Sequence, residues 1–183
     1  MPEIALHILD LVQNCITALA TQIRILLTVS IARNVLSVEI ADNGKGMSEE
    51  FLKKVVSPFA TTRTTRRVGL GIPLLKAGCE AAGGSFKICS ALGKGTSIYG
   101  AYQLDHIDRP PLGDFAGTVH SLIVCNSQID FYIEANSDQG SFHLDTAEIR
   151  EQLGSVPFTQ PEVSIWLKEY LDEGMAEAKI SAL

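Results

Sequence analysis

The chain alternates between segments of helical periodicity and short runs of β-branched residues. Residues 3–20 predict a helix that is apolar nearly all round, broken by one narrow polar stripe at helical spacing: Glu3, His7, Asp10, Asn14, Thr17 and Thr21. Residues 23–31 and 35–40 read as strands turned at Ala32, Arg33 and Asn34. Ser48 is placed to cap a helix through about Ser57, with Glu49 and Glu50 in the first turn, where a helix N-terminus favours carboxylates. A Thr/Arg-rich loop, 61–67, follows. Pro73 suits the first turn of a helix ending near Ala82, stopped by Gly83 and Gly84. Residues 85–90 and 96–104 predict a hairpin around 92–95. Residues 105–111 have linker character. Beyond them, 119–125 and 129–135 read as two strands paired across Asn126, Ser127 and Gln128, and helices are expected over 146–153 and 161–179. No internal repeat or low-complexity tract interrupts this order.

Composition narrows the class. With 46% hydrophobic and 20% charged residues, 183 positions suffice for one domain with a real core and a small appendage. The first apolar segment is broken by His7, Asp10, Gln13 and Asn14, which argues against a secretory signal. The cleanest later run, 23–32, contains Arg24 and is far too short to span a bilayer. Cys15, Cys79, Cys89 and Cys125 show no CxxC spacing and read as reduced thiols of a cytoplasmic protein. Charge is uneven: residues 1–104 carry 11 Lys+Arg against 7 Asp+Glu, residues 105–183 carry 4 against 14. Lys53, Lys54, Arg63, Arg66 and Arg67 share one window, which suits phosphate and equally suits a solvated face. The acidic half and the absence of a reading motif argue against nucleic acid as a partner.

Three short motifs carry candidate chemistry. Asp42-Asn43-Gly44-Lys45-Gly46-Met47 follows the second strand, putting a carboxylate at a strand mouth beside glycines that let backbone pass close to a flat ligand. The same residues are also ordinary turn chemistry. On the first helix, Asp10 and Asn14 are four apart and reach the same point; an amide oxygen can ligate magnesium and a carboxylate can take a proton from water. A thin exposed face explains the stripe equally well. Gly69-Leu70-Gly71 opens onto a helix, where backbone amides form an anion site. Gly93-Lys94-Gly95-Thr96 also fits a plain hairpin turn.

In this order the motifs resemble the GHKL nucleotide-binding superfamily, which includes histidine kinases, anti-sigma-factor kinases and the gyrase-, MutL- and heat-shock-type ATPases. The histidine-kinase branch is most similar: residues 11–14 match its Asn box, 57–63 (Ser-Pro-Phe-Ala-Thr-Thr-Arg) its phenylalanine box, and Gly69-Leu70-Gly71 its second glycine box. The resemblance covers residues 3–104. It implies an α+β fold, a two-layer α/β sandwich whose mixed sheet is covered by helices on one face, with residues 1–104 as the ATP-binding domain, 105–111 a linker and 112–183 a small α+β region. It implies ATP and Mg2+ as cofactors. Asp42 would accept from the adenine amino group, partly through water that Thr96 helps to fix; Gly44, Gly46 and Met47 would wall the base. Asn14 would hold the magnesium. Phe59, Thr61, Thr62 and Arg63 of the phenylalanine box would bind ATP, Arg63 standing where that branch often has a phosphate-contacting Lys; the lid would be 60–68, and Gly69, Leu70 and Gly71 would offer backbone amides to phosphate.

Departures from that pattern bear on the reaction. Asp10 stands where hydrolytic members have a catalytic Glu, shorter by roughly 1.5 Å of reach. Thr17 replaces a basic residue often found there, and Arg67 a glycine. The first motif helix starts at the N-terminus, so a stand-alone domain without a phospho-accepting helical hairpin is expected, with His7 a seam residue. The expectation is phosphoryl transfer to a protein partner or slow hydrolysis with Asp10 as base. An ATP-gated binding module without chemistry is the alternative. A homodimer through the acidic C-terminal region is a further expectation.

Overall fold

The computed structural model describes residues 3–56 and 71–180. The elements run α1 (Ile4–Thr17), β1 (Gln22–Ser30), β2 (Val35–Asp42), α2 (Glu49–Val56), α3 (Gly71–Ala81), β3 (Ser85–Ala91), β4 (Gly95–Gln103), α4 (Phe115–Cys125), β5 (Asp130–Ser137), β6 (Ser141–Asp145), α5 (Thr146–Leu153) and α6 (Pro161–Glu177). Six strands form one mixed sheet in the order β3-β4-β2-β1-β5-β6. The β1–β5 pair is parallel and the other four pairs are antiparallel.

Alternation along the strands decides which face is buried. In β1, Ile23, Ile25, Leu27 and Val29 turn to the core while Gln22 and Arg24 face out. The register lines up aliphatic side chains in a straight row across the whole sheet: Ile88, Ile98, Ile40, Ile25, Ile133 and Leu144. Helices cover this face, with α1 packed between α3 and α4, α4 against α6, and α6 against β6. The expected mixed sheet under a helical layer is therefore present.

The chain beyond residue 104 is built into the same sheet. Asp105–Arg109 lies folded back, with Arg109 Nε donating to the Leu104 carbonyl at 2.6 Å and Asn34 and Asp105 bonded to each other. The carbonyls of Pro111 and Leu112 then accept from Ile4 and Ala5, both at 2.9 Å, and so satisfy two of the orphan amides that open α1. β5 and β6 continue the sheet, and one apolar cluster includes residues from both halves.

The segment 119–125, expected as a strand, is helical, and this corrects the proposed pairing with 129–135. Asp114 caps the helix by accepting from Gly117 N at 2.8 Å, and the buried Phe115, Ala116, Val119, Leu122 and Ile123 repeat at helical spacing. A window opening at Val119 misses Phe115 and Ala116, so its β-branched content dominated the reading. The true hairpin partner of β5 is β6, whose five residues carry only Phe142 and Leu144 as buried signals.

Because one row of side chains crosses both halves, the chain is expected to unfold in one step. Ile133→Ala, at a fully buried position on β5, should cost about 2–5 kcal/mol. It should move the urea midpoints of far-UV circular dichroism and of fluorescence from Trp166, the single tryptophan, together. Midpoints that separate would show two independently folding halves.

Candidate functional site

The carboxyl end of α1 and the DNGKGM loop are tied together by a dense set of bonds. Asn43 is the knot. Its Oδ1 accepts from Thr21 N at 2.9 Å and Gln22 N at 3.0 Å, and its Nδ2 donates to Thr21 Oγ1 at 2.9 Å. Lys45 N donates to the Ala18 carbonyl at 2.9 Å, and Gly93 N to the Lys45 carbonyl at 2.8 Å. Gly46 has φ +63°, and a Cβ there would sit 1.9 Å from the Ala91 carbonyl oxygen. Gly95, at φ +83°, would put a Cβ 1.8 Å from the Asp42 carbonyl oxygen. Both glycines are thus fixed by backbone-to-backbone contact between the loop and the β3–β4 hairpin.

These constraints shape a cavity of about 510 Å³ between α1, α2, α3 and the ends of β2 and β4. Apolar walls come from Leu11, Met47, Phe51, Val55, Ile72 and Ile98; Asn14, Asp42 and Thr96 supply polar groups among them. Asp42 pairs directly opposite Thr96 in the sheet. One Asp42 oxygen, Oδ1, accepts from Gly44 N at 2.7 Å, which orients the carboxylate. Asn14 is half-buried, and its side-chain amide has no hydrogen bond among the described residues.

The structure thus gathers Asn14, Asp42, Gly46, Met47 and Thr96 from three separate segments, α1, the DNGKGM motif and β4. Gly44 belongs to the loop but faces α1: a Cβ there would meet the Ala18 carbonyl at 2.7 Å. Asp10 is exposed and does not line the cavity; it stands beside the start of α3, where a Cβ on Gly71 would lie 3.1 Å from the Asp10 Cβ. His7 is buried, and burial holds its imidazole below the ordinary pKa, with Asp10 pulling the other way. Phe59, Thr61, Thr62, Arg63, Gly69 and Leu70, with the expected lid 60–68, lie outside the described residues.

Two residues near the cavity escaped sequence reasoning. Ser90 Oγ accepts from Met47 N at 2.8 Å and stands 2.9 Å from Thr96 Oγ1, bridging two motifs. Only the β3–β4 register, which pairs Ser90 with Thr96, reveals this. Cys15 is the other: it lines the cavity one position after Asn14, with its thiol bonded to the Leu11 carbonyl. Helical spacing alone put it on the apolar side of α1.

The sequence model of the family described as histidine kinase-, DNA gyrase B-, and HSP90-like ATPase matches residues 3–106. The chain belongs to this family. As a GHKL member it carries that family's ATP-binding domain, and the cavity lies wholly within the matched residues. A curated protein of Shewanella frigidimarina (strain NCIMB 400) bearing the name "Putative sensor protein" is 37% identical over 93 residues, which is 50% of this chain and 14% of that protein. Among solved structures, the N-terminal domain of a DNA repair protein superposes with a TM-score of 0.52 at 17% identity, over 79% of this chain and 52% of that one. The Aquifex aeolicus MutL ATPase domain complexed with ADP gives a TM-score of 0.47 at 13% identity, over 84% and 67%. The chain thus spans a small part of its curated relative and about half of the first structure. Among the described residues no helix is long and apolar enough to cross a membrane.

The thiols provide a check on this GHKL cavity. Cys15 and Cys79 are buried, and burial drives both thiols upward, Cys79 to about 11 and Cys15 further, with Asp42 adding to the rise at Cys15. Cys89 and Cys125 are exposed. Under native conditions at pH 8, iodoacetamide should label Cys89 and Cys125 on the order of tenfold or more faster than Cys15 and Cys79. Peptide mass spectrometry would read the difference, and rapid labelling of Cys15 would contradict the closed α1–loop junction.

Proposed function

We propose that the cavity binds magnesium-ATP and that the bound nucleotide donates its γ-phosphoryl group to a partner protein or, slowly, to water. The observation that carries this reading is the Asp42 carboxylate, with one oxygen held by Gly44 N–H, in the wall of a largely apolar cavity of about 510 Å³. A flat, hydrogen-bonding heterocycle fits such a place: apolar walls take its faces and the carboxylate accepts from its exocyclic amine. Thr96, opposite Asp42 and bonded through Ser90 to the Met47 amide, is suited to fix a water between base and carboxylate.

Asn14 fits a magnesium ion bound together with phosphates, because its amide oxygen is uncommitted among the described residues and hard cations take oxygen donors. Such an ion, when bound, neutralises charge that builds on the phosphate oxygens. Among the described residues Asn14 is the one side-chain amide lining the cavity, so ion and nucleotide are expected to bind together. Asp10, exposed beside the N-terminus of α3, is suited to take a proton from an incoming hydroxyl or water outside the base pocket. Its exposure and short reach favour an acceptor carried by another protein over efficient hydrolysis. Phe59, Thr61, Thr62 and Arg63 are proposed to close over the phosphates, and Gly69, Leu70 and Gly71 to present amides to them. A cytoplasmic location accords with the free thiols.

Isothermal titration with magnesium-ATP tests the site. Asp42→Asn should weaken binding about 10–100-fold, the range expected for a hydrogen bond to a charged group worth ~1.5–3 kcal/mol. Circular dichroism should remain unchanged. Asp10→Asn should leave affinity within about twofold while lowering the transfer or release of labelled phosphate in the presence of cell extract. Unchanged phosphate release in Asp10→Asn would reject Asp10 as the base. Tight binding with no labelled product on water, on this chain or on another protein would favour an ATP-gated binding module.

A further inference from the structure

The C-terminal helix carries a surface that the nucleotide site does not use and that lies outside the family match. On α6, Trp166 and Tyr170 stack with ring centroids 5.4 Å apart and planes 13° from parallel. Tyr170 meets Phe142 of β6 edge-on at 5.3 Å. Phe142 is seated because residue 174 is glycine, where a Cβ would fall 2.2 Å from the ring. The two outer aromatics are therefore anchored through Phe142 to the sheet, yet Trp166 remains 44% and Tyr170 38% exposed, beside Ile165 at 60%.

The charges around this platform have one sign. Glu162, Glu169 and Glu173 fall on the same side of α6 at helical spacing and are exposed. Glu169 and Glu173 have no salt-bridge partner among the described residues. Lys168, the one cation in α6, is held by both oxygens of Asp172. A stacked pair of electron-rich rings rimmed by free carboxylates is complementary to planar cations, which can lie over a ring while donating to the acids.

We propose that this face of α6 docks an arginine-rich segment of a partner protein. Negative charge on the rim opposes nucleic acid and anionic lipid, and it opposes the same face of a second copy. The surface is independent of the nucleotide cavity, so its failure would leave the proposed ATP site untouched.

Trp166, the single tryptophan, reports directly on the platform. Titrating the full chain with a capped octa-arginine peptide at physiological salt should change Trp166 emission saturably, and Asp42→Asn should not alter the curve. Glu169→Gln with Glu173→Gln, and separately Tyr170→Ala, should each weaken the peptide about fivefold or more. Glu148→Gln with Glu151→Gln on α5 removes equal charge elsewhere and should change it less than about twofold. Equal weakening by the two acid pairs would overturn the proposal, because net charge alone would then suffice. An unchanged emission would overturn it too. So would a stronger response to phosphatidylcholine vesicles than to peptide, or a dimer in sedimentation that Trp166→Ala dissolves.

Discussion

Everything at the candidate cavity depends on the closure of α1 onto the DNGKGM loop. The helix brings Asn14 and Cys15 to one wall; the loop brings Asp42 and Met47 to the other. What fixes their separation is a set of bonds from Asn43 to the chain that leaves α1, together with Lys45 N on the Ala18 carbonyl. These bonds lie at an exposed junction and each contributes about 0.5–1.5 kcal/mol net, so it is their number at one place that determines the closure. The residue in the motif with most structural weight is therefore Asn43, which touches no part of the cavity.

The opposite end of α1 is held by the other half of the chain. Pro111 and Leu112 cap its first amides, and α4 packs along its side. Helix α1 is thus seated between residues that carry the motif and residues that do not. The acidic C-terminal region is mechanically connected to Asn14 through a single helix of 14 residues. One helix thus takes its first amide partners from beyond residue 104 and carries Asn14 and Cys15 to the cavity wall.

How much of this was legible in the sequence depends on the range of the interactions involved. Elements of residues 3–103 were readable because period and punctuation agree locally: Pro73 opens a helix, Gly83 and Gly84 end it, and β-branched runs flank Asn34. The mixed sheet and the segments that build the cavity were legible only through the order of several motifs. Contacts set by register were not legible. Ser90 reaches Met47 because β3 and β4 pair with Ser90 opposite Thr96, and nothing near Ser90 announces it. The helix at Phe115–Cys125 was lost for a related reason. Its β-branched residues favour extended chain locally, and the cap at Asp114 with burial against α1 and α6 overrides that preference.

The glycines of the loop have a consequence for how such proteins diverge. Gly46 is excluded from bearing a side chain by the Ala91 carbonyl, and Gly95 by the Asp42 carbonyl; neither exclusion involves a ligand. On the proposed reading, a descendant that no longer used nucleotide would be released to change Asp42 and Asn14, while folding would still hold both glycines in place. The glycine skeleton of this motif therefore records ancestry, and the acid and the amide are the letters that record use.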